Sequence, residues 1–138
     1  RTGQRLRGRG VTPVSDQAEI DALKARSLKR TLWVIHSRVV ADREAVRIHL
    51  LAHLRHQVAL EKAGVLFAAG PLADEDGKPT GTSMTIVRAA DAAEARRIAE
   101  TDPMHVAGVR NFTVSRWSVN EGRITVTVDI ADGTASLA

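Results

Sequence analysis

Residues 31–119 change their hydrophobic repeat several times, and the order of those changes restricts the fold more than any single residue does. Over 31–40 the chain is rich in β-branched residues, and Leu32, Val34 and His36 alternate with Trp33, Ile35 and Ser37, the two-residue period of a strand. Asp42 then stands where an N-cap belongs, and Val46, Leu50, Leu54 and Val58 recur at the spacing that keeps one stripe on a helix. Gly64 stops that helix, with Lys62 in its last turn. Residues 65–69 form a second strand closed by Gly70 and Pro71. The loop 74–79, with Asp76 and Gly77 suited to a turn, leads into a third strand over 81–88. Asp91 caps a second helix whose apolar side is Ala92, Ala95, Ile98 and Ala99. Pro103 disfavours helical geometry in the residue before it, so a break falls at Asp102. Residues 111–119 and 124–130 alternate again about Asn120-Glu121-Gly122, which predicts a hairpin.

The succession is βαββαβ with an extra N-terminal helix and an extra C-terminal strand. It predicts an α+β chain of the ferredoxin-like kind, with a four-stranded antiparallel sheet and both main helices on one face. Such a sheet leaves its other face bare, while apolar side chains point both ways over 32–35 and 65–69. A second copy of the same face is the simplest cover, so a homodimer is expected.

The chain has 138 residues, enough for one core with attachments. The expected organisation is a flexible basic tail over 1–14, a helix over 15–29 capped by Ser15, and one domain over 30–138. The missing initiator Met suggests that residue 1 is not the natural start. No run is long and apolar enough for a membrane span, and the Arg-rich start lacks the apolar stretch of a secretory signal; a cytoplasmic location and no membrane partner are expected. There is no cysteine, which removes disulfides, thiolate metal sites and a cysteine nucleophile together. The net charge of +4 is carried by the tail: residues 1–30 hold eight Lys or Arg against three Asp or Glu, and the rest hold twelve against thirteen. A near-neutral body with no Tyr, two Phe and two Trp argues against nucleic acid as a partner.

Chemistry can be placed on few residues. His49, His53 and His56 fall within about 60° of one another on the long helix. Two of them, with Asp102 or His105, have metal-ligand spacing, but His49 and His56 lie roughly 10 Å apart along the axis, so no metal site is assigned. Asp102 before Pro103 reads as an N-cap. The topology also lets it approach His53, and a carboxylate beside an imidazole sets its tautomer for acid–base work. His53 and Asp102 are therefore the candidate catalytic pair. Candidate substrate-binding groups are His56, His105, the Gly70-Pro71 backbone, which can line a cleft, and Arg110, which can hold an anionic group. Ser37, Ser83 and Ser115 sit in strands, not on a sharp turn, which argues against a serine nucleophile. Gly8-Arg9-Gly10 lacks the strand and the Lys-Ser or Lys-Thr of a phosphate loop, and no cofactor is expected.

Several of these residues occur together as His53-Leu54 with Leu60 and Ala63-Gly64; Val65-Leu66-Phe67-Ala68-Ala69-Gly70-Pro71-Leu72; Asp91 with Glu94-Ala95; Asp102-Pro103-Met104 with Ala107-Gly108-Val109; and Arg116-Trp117. In this order they resemble the YciI-like (YCII-related) family. The resemblance spans about Thr31 to Glu121. It implies a dimeric α+β barrel, a small-molecule ligand, and an active site built on a His and an Asp that fall on His53 and Asp102. It further implies a lyase, isomerase or hydrolase working on a cyclic or aromatic metabolite, since one family member is a dehydrochlorinase of chlorinated hydroxyhydroquinones. The competing expectation is a non-catalytic binding or assembly module.

Overall fold

The computed structural model describes residues 13–137 and divides the chain into two compact units, one of residues 30–119 and one of residues 1–29 with 120–138. The proposed tail therefore lies almost wholly outside the described residues.

In the larger unit, strand β1 (Arg30–Val39) leads to helix α2 (Arg43–Lys62), strands β2 (Leu66–Ala73) and β3 (Pro79–Val87), helices α3 (Ala92–Glu100) and α4 (Pro103–Val106), and strand β4 (Arg110–Val119). The sheet order is β2-β3-β1-β4, antiparallel throughout, which is the ferredoxin-like arrangement. Each helix starts on a side chain that replaces missing backbone partners. Asp42 accepts from Ala45 N at 2.9 Å, Asp91 from Glu94 N at 2.8 Å, and Asp102 from Met104 N at 2.9 Å. Gly64, at φ 74°, ends α2 in the left-handed region that favours glycine.

Alternation along the strands sends Trp33, Ile35 and Ser37 to one face. Their partners across the sheet are Val87, Thr85 and Ser83 on β3 and Arg116, Val114 and Phe112 on β4. On that face Ile35 and Val87 pack against Ala95 and Ala99 of α3, with Trp33, Leu66, Ile98, Phe112 and Val114 around them. The Trp33 indole N–H donates to the Ala89 carbonyl at 3.1 Å. Helix α2 lies against β2 and α4. None of its residues is fully buried, and the strip it turns inward is Val46, His49, His53, His56, Gln57 and Leu60. The predicted stripe is only partly right, because Leu50, Leu54 and Val58 stay about half exposed. The helix is rotated so that its histidine strip, and not its leucine stripe, meets the neighbouring elements.

Two further expectations need correction. Gly70 and Pro71 do not end β2, which runs on to Ala73 with Pro71 opposite Ser83. Proline is tolerated there because β2 is an edge strand, and the register shifts just after it. Nor does the last predicted strand pair with β4. In the smaller unit β5 (Val126–Asp129) pairs with β6 (Thr134–Leu137) in its own two-stranded ribbon. Asp132, which accepts from Thr134 N, and Gly133, at φ 70°, form the turn that closes it. Helix α1 (Pro13–Arg26) begins ahead of Ser15, since proline at the first helical position needs no N–H partner. Its apolar residues Ile20 and Leu23 are exposed. Among the described residues no helix is long and apolar enough to cross a membrane.

Candidate functional site

Asp102 is where the layers meet. The chain leaves α3 at Thr101, whose backbone N–H bonds to the Ile98 carbonyl, and re-enters a helix at Pro103, so Asp102 takes an extended conformation between two helical ends. Its carboxylate, 5% exposed, accepts from the Met104 backbone and from two residues one turn apart on α2. His53 Nδ1 lies 2.9 and 2.8 Å from the two oxygens, and Gln57 Nε2 lies 3.2 Å from Oδ2. Burial by itself pushes the Asp102 carboxyl pKa up. The hydrogen bonds from His53 and Met104, with the electrostatic attraction of the neighbouring His53 and His105 rings, outweigh that, and the pKa lies below the ordinary aspartate value.

An ionised carboxylate only accepts hydrogen bonds, so the hydrogen on His53 sits on Nδ1 and the lone pair on Nε2. Among the described residues nothing pairs with Nε2, and the His53 side chain keeps 13% of its surface exposed. The arrangement is an oriented imidazole on a side chain that keeps part of its surface exposed, with Nε2 unpaired among the described residues. It can take a proton from, or return one to, a molecule placed there.

Behind the pair is a cavity of about 10 Å³, room for roughly one water-sized group. Asp102, Gln57, His56, His105 and Thr85 provide its polar wall, and Ile35, Leu60, Ile98 and Ala99 the apolar remainder. His56 Nε2 lies 3.2 Å from the Thr101 hydroxyl. His105 is held at both nitrogens: Nδ1–H donates to the Ala99 carbonyl at 2.6 Å, which leaves Nε2 to accept from the Ser37 hydroxyl at 2.8 Å. The residues predicted from sequence thus divide. Asp102, His56 and His105 line the cavity, while His53 does not line it and joins the group through its bond to Asp102. Gly70, Pro71 and Arg110 do not line the cavity, and Arg110 Nη1 instead donates to the Ser83 hydroxyl at 3.0 Å. Among the described residues no three His, Asp or Glu side chains cluster as metal ligands would.

Two participants were missed by the sequence reading. Ser37 was set aside as a strand residue, although the pattern had placed it on the same side as Trp33 and Ile35. Gln57 was not singled out at all, and the signal available was its spacing, one turn after His53. The buried polar residues of this unit are Ser37, Ser83, Thr85 and Asp102, and the three from the sheet all lie on its helix-bearing face.

The YCII-related domain matches residues 31–118, the span of the larger unit. A solved structure of 5-chloro-2-hydroxyhydroquinone dehydrochlorinase (TftG) from Burkholderia phenoliruptrix AC1100, in complex with 2,5-dihydroxybenzoquinone, is similar at a TM-score of 0.51 and 27% identity. The similarity covers 63% of this chain and 93% of TftG. No curated protein matches the chain.

Proposed function

The chain belongs to the YCII-related domain family, and from that premise we propose that it is an enzyme of proton transfer on a small, cyclic or aromatic molecule, with His53 as acid or base and Asp102 as its orienting partner. The observation that supports this most is the His53–Asp102 contact, which occupies Nδ1 and leaves Nε2 open. In the basic direction Nε2 takes a proton from the ligand, and the electron pair left behind forms a new double bond as a leaving group departs. The imidazolium that results stays beside a carboxylate that stabilises it. The name of TftG supports loss of chloride from a hydroxylated ring as one such elimination. Isomerisation uses the same first step, whereas in hydrolysis Nε2 takes the proton from an attacking water whose oxygen bonds to the ligand as the leaving group departs.

His53→Ala and Asp102→Asn test this on any substrate that turns over. Turnover falls roughly 10²- to 10⁴-fold in His53→Ala, while the variant still folds, at a lower thermal midpoint because Asp102 loses its partner, and still binds ligand. Turnover equal to wild type in both variants removes His53 and Asp102 from the chemistry and refutes the proposal.

The active assembly in this reading is a homodimer joined through the sheet face opposite the helices, where Leu32, Val34, Met84, Ile86 and Trp117 project, Leu32 and Ile86 buried and the others partly or well exposed. Light scattering on Val34→Glu checks it. The expected mass is half that of wild type, and an unchanged mass removes the dimer from the proposal.

A further inference from the structure

Gln57 has an unusual position for a glutamine. Its amide orientation is dictated by its neighbour, since the ionised Asp102 offers only acceptors and the NH₂ end must face it. The carbonyl Oε1 therefore has to point the other way. There it is buried and, among the described residues, has no hydrogen-bond partner. Buried polar atoms in folded proteins nearly always find a partner, so one without a partner in the protein calls for a donor from outside it. The groups on the same cavity wall do not relieve it. The ring N–H of His105 is committed to the Ala99 carbonyl, and its other nitrogen to Ser37. The Asp102 oxygens can only repel another acceptor.

We infer that Gln57 is a specificity-determining residue whose Oε1 accepts a hydrogen bond from a hydroxyl or amino group of the ligand. The inference rests on the reading of this site as one for a small molecule, and it narrows the substrate class to molecules that carry a neutral donor. The size of the cavity agrees, because it admits one water-sized group and no ring. Only the donor enters, and the rest of the molecule remains outside. Gln57 and His53 stand one turn apart and bond the same carboxylate, so the group that meets the donor is tied to the proposed acid or base through Asp102.

The test is binding by the full chain to hydroquinone, 1,4-phenylenediamine and 1,4-dimethoxybenzene, followed by calorimetry or ligand-detected NMR. Wild type binds one or both donors about five- to tenfold more tightly than the dimethoxy compound, the effect of one neutral hydrogen bond. Whichever of the two is favoured identifies the donor as hydroxyl or amino. Gln57→Leu and Gln57→Met, with melting curves to show that they fold, bind all three compounds alike. Loss of turnover in His53→Ala and loss of preference in the Gln57 variants are read by different measurements, so they are separate failures. The inference is overturned if wild type shows no preference or no binding. It is equally overturned if both Gln57 variants retain the preference, as they do when Oε1 is satisfied by a water molecule alone.

Discussion

Helices α2 and α3 share one side of the same sheet but are packed on opposite terms. Helix α3 sets Ala95 and Ala99, at 0% and 2% exposure, onto Ile35 and Val87, and small side chains let its backbone come close. Helix α2 buries no residue fully and turns inward three histidines and a glutamine. One helix is a wall and the other carries reactive groups. A chain optimised for stability alone would face Leu50, Leu54 and Val58 inward. Turning imidazoles and an amide there instead commits the strip to a carboxylate network, and functional sites are where such local conflicts are expected.

The contrast can be broken most forcefully on the α3 side. Ala99→Leu forces a large side chain into the tightest contact of the unit and should cost about 1–3 kcal/mol, seen as a fall of several degrees in the thermal midpoint. A variant as stable as wild type would show that α3 is not the wall described. The counterpart on α2, Leu54→Ser, alters a side chain that is half exposed, and denaturant titration should register a change within about 0.5 kcal/mol. A loss comparable to that of Ala99→Leu would mean that the leucine stripe is covered after all.

The smallest effect is in acid. The pKa of Asp102 is lower in the folded chain than in the unfolded one, so its contribution to stability is complete above the ordinary aspartate value of about 3.9. As pH falls through that value toward the folded pKa, the unfolded chain takes up the proton first and the contribution is lost. The stability gap between wild type and Asp102→Asn should therefore shrink as pH is lowered from about 5 to 3. A gap that widens would reverse the assigned direction.

The same contrast explains what was legible beforehand. Element order could be read because strand and helix periods differ, and the Asp102 cap because an Asp before a Pro has few other uses. The meeting with His53 followed from βαββαβ topology, which brings the end of the second helical region alongside the first. The rotation of α2 could not be read. Its leucine stripe and histidine strip are adjacent, and periodicity ranks them by hydrophobicity when the network at Asp102 decides the matter. Gln57 was hidden for the same reason, as a polar residue on a helix normally faces water. The β5–β6 ribbon escaped because its strands are four residues each, too short for alternation to establish a partner.

Pro71 in the outer strand of the sheet has a consequence for the chain as a solute. A free sheet margin is a template on which another polypeptide can add, the route to fibrous aggregates. A residue without an amide hydrogen, followed by an irregularity in register, interrupts that template toward the end of the strand. The proline thus hinders runaway growth along this margin.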